Sequence, residues 1–178
     1  MLLGKVQMDK KNILRFITQS TIETLVPRWN SDKDVTKYLY RGKLPKTNSN
    51  NRDISDIEFE IYDESVDNEV VIGCAGIHQV NWISRSAELR IMIGNKDFWG
   101  MGIGKLAIKE LMSYGFRTLN MNRLWLGVNE HNQQAYHAYK KCGFIEEGRL
   151  REEFFKNGSY CDIIRMGILK NDYDKIMQ

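Results

Sequence analysis

Apolar and polar positions change period twice along the middle of the chain, and each change predicts a new element. From Ala87 to Ile93, Glu88, Arg90 and Met92 fall on one side and Leu89, Ile91 and Ile93 on the other, the alternation of a strand. Past the glycines at 100–104 the spacing becomes helical. Ile103, Ala107, Ile108, Leu111, Met112 and Phe116 share one face, while Lys105, Lys109, Glu110 and Arg117 lie opposite. Leu124 to Val128 reads as a strand and Gln133 to Cys142 as a helix that Gly143 ends. Two last strands meet at Asn157-Gly158, the pair that a tight hairpin turn prefers.

The first half follows the same logic with weaker signals. Asn12 to Phe16 is an opening strand, and Thr21 to Trp29 a short helix that Pro27 interrupts or ends. A second helix starts in Asp32 to Tyr40, with Ser31 or Asp32 as its cap. Pro45 to Asp56 is polar, rich in Asn and without apolar period, hence loop. Glu58 to Tyr62 and Val70 to His78 form a hairpin joined by an acidic turn. Without internal repeat or linker, the order predicts one mixed α/β domain over residues 1–178, with its core at about 12–170.

Composition narrows the class. Hydrophobic content of 42% and charged content of 28% suit a globular protein that buries a core. A net charge of +3, with Lys and Arg scattered, argues against nucleic acid. Cys74, Cys142 and Cys161 are odd in number and lack metal-ligand spacing, which predicts reduced thiols, no metal and a cytoplasmic setting. No signal-like apolar segment opens the chain, and the longest apolar run, Val70 to Ile77, is too short to cross a bilayer, so no membrane role is expected.

The strongest chemical signal is Trp99-Gly100-Met101-Gly102-Ile103-Gly104-Lys105, between a strand and a helix. Glycines at alternate positions let the backbone turn, and the helix start offers free N–H groups and its positive dipole end to a pyrophosphate. The spacing is not that of a dinucleotide fingerprint, and Leu106 stands where a nucleoside-triphosphate loop needs Ser or Thr for magnesium. A tight turn whose glycines serve packing is the plainer alternative.

Together with Asn129-Glu130-His131-Asn132-Gln133-Gln134-Ala135-Tyr136-His137-Ala138-Tyr139-Lys140-Lys141-Cys142-Gly143-Phe144, this loop resembles the GNAT superfamily of N-acetyltransferases. Trp99 to Gly104 match its pyrophosphate motif, with Trp99 at the Gln/Arg position, and Asn132, Ala135, Tyr139, Gly143 and Phe144 match its later pattern. The resemblance implies a central, mostly antiparallel twisted sheet flanked by helices. Acetyl-CoA would enter where a parallel pair, the strands at 87–93 and 124–128, splays apart. It further implies direct acetyl transfer to a primary amine in a ternary complex.

Residue roles follow from the same resemblance. Trp99, Gly100, Met101, Gly102, Ile103, Gly104 and Lys105 would hold the pyrophosphate, and main-chain groups of Ile91, Met92 and Ile93 the pantetheine. Asn132 would bond the coenzyme, though a helix cap explains it equally. Tyr139 would protonate the departing thiolate, against an ordinary core role. Glu88 would take the amine proton through a water, against a cross-strand ion pair. His78 and Glu60 are further candidates on the acceptor side.

The acceptor stays open. The acidic run Glu58, Glu60, Asp63, Glu64, Asp67 and Glu69 suits a polyamine, and Arg85-Ser86-Ala87-Glu88-Leu89 with Glu147 to Gly158 looks like spermidine N-acetyltransferases. Trp99 is unusual for that subgroup, so a ribosomal-protein N-terminus and an amino-sugar nucleotide remain alternatives. The loop at 45–56 replaces most of the family's second helix, which lines the acceptor wall. Two non-enzymatic readings are an acetyl-CoA sensor and an interaction module using Arg15 to Pro45; a homodimer is also compatible.

Overall fold

The computed structural model describes residues 13–39, 56–63 and 70–177. Asn12, Tyr40, most of the expected loop at 45–56, and Glu64, Asp67 and Glu69 of the acidic turn lie outside these residues. The elements run β1 (Leu14–Phe16), α1 (Gln19–Ser31), α2 (Lys33–Thr36), β2 (Ile57–Asp63), β3 (Val70–Asn81), β4 (Ser86–Ile93), α3 (Ile103–Ser113), β5 (Arg123–Asn129), α4 (Gln133–Lys141), β6 (Ile145–Lys156), β7 (Ser159–Leu169) and α5 (Lys170–Ile176). Among the described residues the strands form one sheet in the order β1-β2-β3-β4-β5-β7-β6. Every neighbouring pair is antiparallel except β4 and β5.

The alternation in β4 divides the two layers. Ala87 and Leu89 face the main core, where Ile103, Ala107, Ile108, Leu111 and Phe116 of α3 and its following turn cover the sheet. Met92 faces the other side and packs with Cys74, Val26, Trp29 and Val35 beneath α1 and α2. The charged members of the row, Glu88 and Arg90, are therefore on the α1/α2 side.

Three details depart from the sequence reading. Helix α1 continues through Pro27 instead of ending there. Proline removes a helical hydrogen bond at a cost of about 3 kcal/mol, but Ile22, Val26 and Trp29 are buried on the same helix, and tertiary packing prevails. Trp29 is seated over Gly94, where a Cβ would meet its ring at 2.1 Å. Second, the helix expected from Asp32 is only Lys33–Thr36, capped by the Asp32 carboxylate on the amides of Asp34 and Val35. Third, Glu110 is no solvent-facing residue: it accepts from the amides of Ile13 (2.8 Å) and Leu14 (3.1 Å), tying α3 to β1. Gly143 ends α4 with φ +96, and Asn157 and Gly158 take the paired positive φ of a tight hairpin turn.

Candidate active site

The parallel ladder between β4 and β5 holds only Ser86 to Arg123, Ala87 to Leu124 and Glu88 to Trp125. Beyond that rung β4 runs on to Ile93 and β5 to Asn129 without pairing each other. The fork exposes the β4 edge at Ile91–Ile93 to an extended ligand that can add to it as a strand would. Glu88 sits on the last rung, buried at 2% exposure, and accepts from Arg90 Nη2 (2.7 Å) and Nε (3.1 Å) on a single oxygen, Oε2. Its rung partner Trp125 carries the Arg165 guanidinium 4.0 Å above its ring.

The glycine loop follows directly. Asn95 caps a short turn at Lys96–Phe98, and Trp99 donates its indole Nε1–H to the carbonyl of Ile93 at 3.0 Å. Gly100 and Gly102 take φ of +78 and +82, which glycine alone adopts freely, and Gly102 caps α3. Among the described residues, apart from the adjoining chain and helix backbone, no atom lies within 4 Å of where a Cβ would stand on Gly100, Gly102 or Gly104. No acidic side chain occupies the first turn of α3. The open cradle and the uncompensated positive helix end fit a pyrophosphate.

Helix α4 docks beside that cradle: Cys142 Sγ lies 4.0 Å from the carbonyl oxygen of Lys105. Tyr139 on α4 is half-buried and meets Phe144 edge-on at 6.0 Å. Burial pushes its hydroxyl pKa up to about 12, with the neighbouring Cys142 adding to the shift. Tyr139 therefore holds its proton at neutral pH, the state required of an acid. Asn132 acts as the α4 cap, its Oδ1 accepting from the Ala135 amide at 3.1 Å, which occupies one of that oxygen's two acceptor positions.

On the α1/α2 face the strand register places His78 beside Glu88, and Gly76 between Glu58 and Arg90. His78 is 1% exposed. Asp56 Oδ2 lies 3.3 Å from its Nδ1 and Glu58 Oε1 3.6 Å from its Nε2, yet neither ring nitrogen has hydrogen-bond geometry. Desolvation, with Arg90 assisting, lowers the imidazole pKa against the pull of Asp56 and Glu88, so His78 is neutral. Glu60 has a different setting. Fully buried, it accepts from Arg15 Nε, from the amide and hydroxyl of Thr18, and from the Thr21 hydroxyl. Burial raises its pKa, and the bonds from Thr21, Arg15 and Thr18 outweigh that and hold it below the ordinary carboxylate value.

Sequence reasoning thus put Glu88 and Arg90 on one face and singled out the glycines and Tyr139, and the β3–β4 register adds His78 beside Glu88. It missed Trp125, Arg165 and Asp56. The alternation of β5 could have revealed Trp125, but its stacking on Arg165 depends on the β5–β7 register, which no local pattern carries. Cys74, Cys142 and Cys161 are buried free thiols, and burial pushes the Cys74 pKa far up, so it is no nucleophile. Among the described residues no His, Cys, Asp and Glu cluster is arranged to hold a metal, and no helix is long and apolar enough to cross a membrane.

The family described as acetyltransferase (GNAT) domain matches residues 12–145. A spermidine N(1)-acetyltransferase of Escherichia coli is 37% identical over 129 residues, covering 68% of each chain. A Vibrio cholerae enzyme of the same description is 42% identical over 103 residues, which span 58% of this chain and 59% of that one, under two thirds of the relative's length. A crystal structure of a Vibrio cholerae spermidine N-acetyltransferase in complex with CoA and spermine superposes with a TM-score of 0.79 at 30% identity, covering 90% of this chain and 96% of that one.

Proposed function

This chain belongs to the GNAT acetyltransferase family, and from that membership we propose that it moves the acetyl group of acetyl-CoA directly to a primary amine of a polyamine such as spermidine. The observation that carries the reading is the buried Glu88 carboxylate on the last rung before the β4–β5 fork, on the face beneath α1 and α2. A carboxylate there meets an ammonium group where the sheet opens. The similarity to spermidine acetyltransferases supports the same acceptor class.

Bound acetyl-CoA supplies a thioester whose C–S bond breaks as the amine forms a C–N bond. The amides at the start of α3 and the space over Gly100, Gly102 and Gly104 hold its pyrophosphate, with Met101, Ile103 and Lys105 completing the turn, while the backbone of Ile91–Ile93 receives the pantetheine. Glu88 accepts the proton that the ammonium must lose, directly or through a water; Arg90 engages only its Oε2 and leaves Oε1 outside that pair. Tyr139 donates its proton to the leaving sulfur. Glu60 orders the start of α1 over this face and acts through position rather than contact. Such an enzyme works in the cytoplasm, where acetyl-CoA and polyamines meet.

Release of free thiol from acetyl-CoA against an amine panel tests this. Turnover with spermidine is the expected outcome. Acetylation of a peptide N-terminus or an amino-sugar nucleotide, with spermidine inert, overturns it.

A further inference from the structure

Asp56, His78 and Glu88 lie in one row across three strands. His78 pairs with Glu88, and Asp56 precedes Ile57, which pairs with Ile77, so continuing that register sets Asp56 opposite His78. At one end stands the Glu88 carboxylate by the fork; at the other, Asp56 and Glu58 flank the imidazole. Two strand spacings separate the ends, about 10 Å between backbones.

His78 is the unusual member. Among the described residues the buried imidazole has only the 3.3 Å and 3.6 Å approaches of Asp56 and Glu58 and no well-aligned hydrogen bond, a desolvation cost that a closer partner would remove. As a neutral ring it offers one acceptor nitrogen, and the two carboxylates offer negative charge. Ammonium is the matching ligand: a compact cation with several donors and no acceptor. Gly76 makes room for the ring itself, since a Cβ there would meet His78 Nε2 at 2.5 Å.

We propose that Asp56, Glu58 and His78 form a subsite for the second, non-reacting ammonium of the acceptor, so that the enzyme selects diamines and polyamines over monoamines. The inference rests on the polyamine reading above and deepens it. The reacting nitrogen lies at Glu88 while a charged nitrogen one short methylene linker away lies against His78.

Putrescine and n-butylamine have the same carbon chain and differ only in the second amine, so they isolate the subsite. For the wild-type protein, kcat/KM for putrescine and spermidine should exceed that for n-butylamine at least tenfold. Asp56→Asn and Glu58→Gln should each raise KM for spermidine at least tenfold more than KM for n-butylamine. Retained stabilisation by acetyl-CoA confirms that the variants fold. Equal wild-type kcat/KM for putrescine and n-butylamine overturns the subsite even if no variant folds. So does an unchanged spermidine KM in folded variants. Spermidine left unacetylated while another amine class reacts overturns instead the acceptor reading beneath it.

Discussion

The indole of Trp99 reaches back six residues and donates to the carbonyl of Ile93 at 3.0 Å, so the end of β4 and the first glycine of the loop are fixed to each other. That bond sets the distance between the two stretches expected to hold the coenzyme, the β4 edge and the α3 start. Trp99→Phe keeps a ring and removes the donor. KM for acetyl-CoA should rise about tenfold, or ~1.4 kcal/mol, with a loss of thermal stability near 1 kcal/mol. An unchanged KM would mean that the half-exposed indole only packs.

Gly102 and Gly104 should behave differently when each is changed to Ala. Gly102 has φ +82, so a side chain strains the folded backbone and should cost about 1 kcal/mol. Gly104 has open space and an ordinary helical position, so Ala there should leave the melting temperature of the free protein unchanged or higher. Both should weaken the stabilisation that acetyl-CoA gives the wild-type protein, because the methyl enters the space that the phosphates need. Full acetyl-CoA stabilisation of Gly104→Ala would refute the pyrophosphate site.

Tyr139→Phe separates acid from core residue. Loss of a general acid should lower kcat by about a hundredfold while acetyl-CoA affinity stays close to wild type. A purely structural tyrosine would instead keep kcat and lose about 1 kcal/mol of stability. The sign of the pH effect also follows. The pKa of this group is raised on folding, to about 12 from an ordinary 10.0, so its contribution is complete below 10 and is lost as pH climbs toward 12. The alkaline limb of kcat should therefore not reflect Tyr139 below pH 10.

Glu60→Gln removes the charge that collects Arg15, Thr18 and Thr21 at the start of α1. Stability at neutral pH should fall by about 2 kcal/mol. Because the folded pKa lies below the ordinary 4.5, the wild-type advantage is present above that value and fades as pH falls through the folded one. Melting curves of both proteins from pH 7 to pH 3 should converge. A spermidine KM that rises while neutral-pH stability is unchanged would place Glu60 in contact with the acceptor.

Much of this architecture was written in local pattern. The alternation of 87–93 assigned Glu88 and Arg90 to one face and Leu89 to the core, Gly143 marked the end of α4, and Asn157-Gly158 marked the last turn, because each depends on a few adjacent residues. Pro27 and Glu110 were misread for the opposite reason. Their states depend on the seating of Trp29 against Gly94 and on the distant amides of Ile13 and Leu14, contacts between residues 65 to 97 positions apart in the chain. In the site, the glycines and Tyr139 were visible through their spacing. The row joining Asp56 to His78 and Glu88 was not, since it exists only once three strands take their register.

The three-rung parallel ladder has a consequence for how the protein opens. Antiparallel pairing binds β1–β4 into one group and β5–β7 into another, while between the groups the sheet is continuous only from Ser86 to Glu88. A ligand lying in the fork lengthens the seam without adding a residue to the chain. In the proposed complex the co-substrate extends the sheet across the fork, and amide exchange along Ile91–Ile93 should slow when it binds.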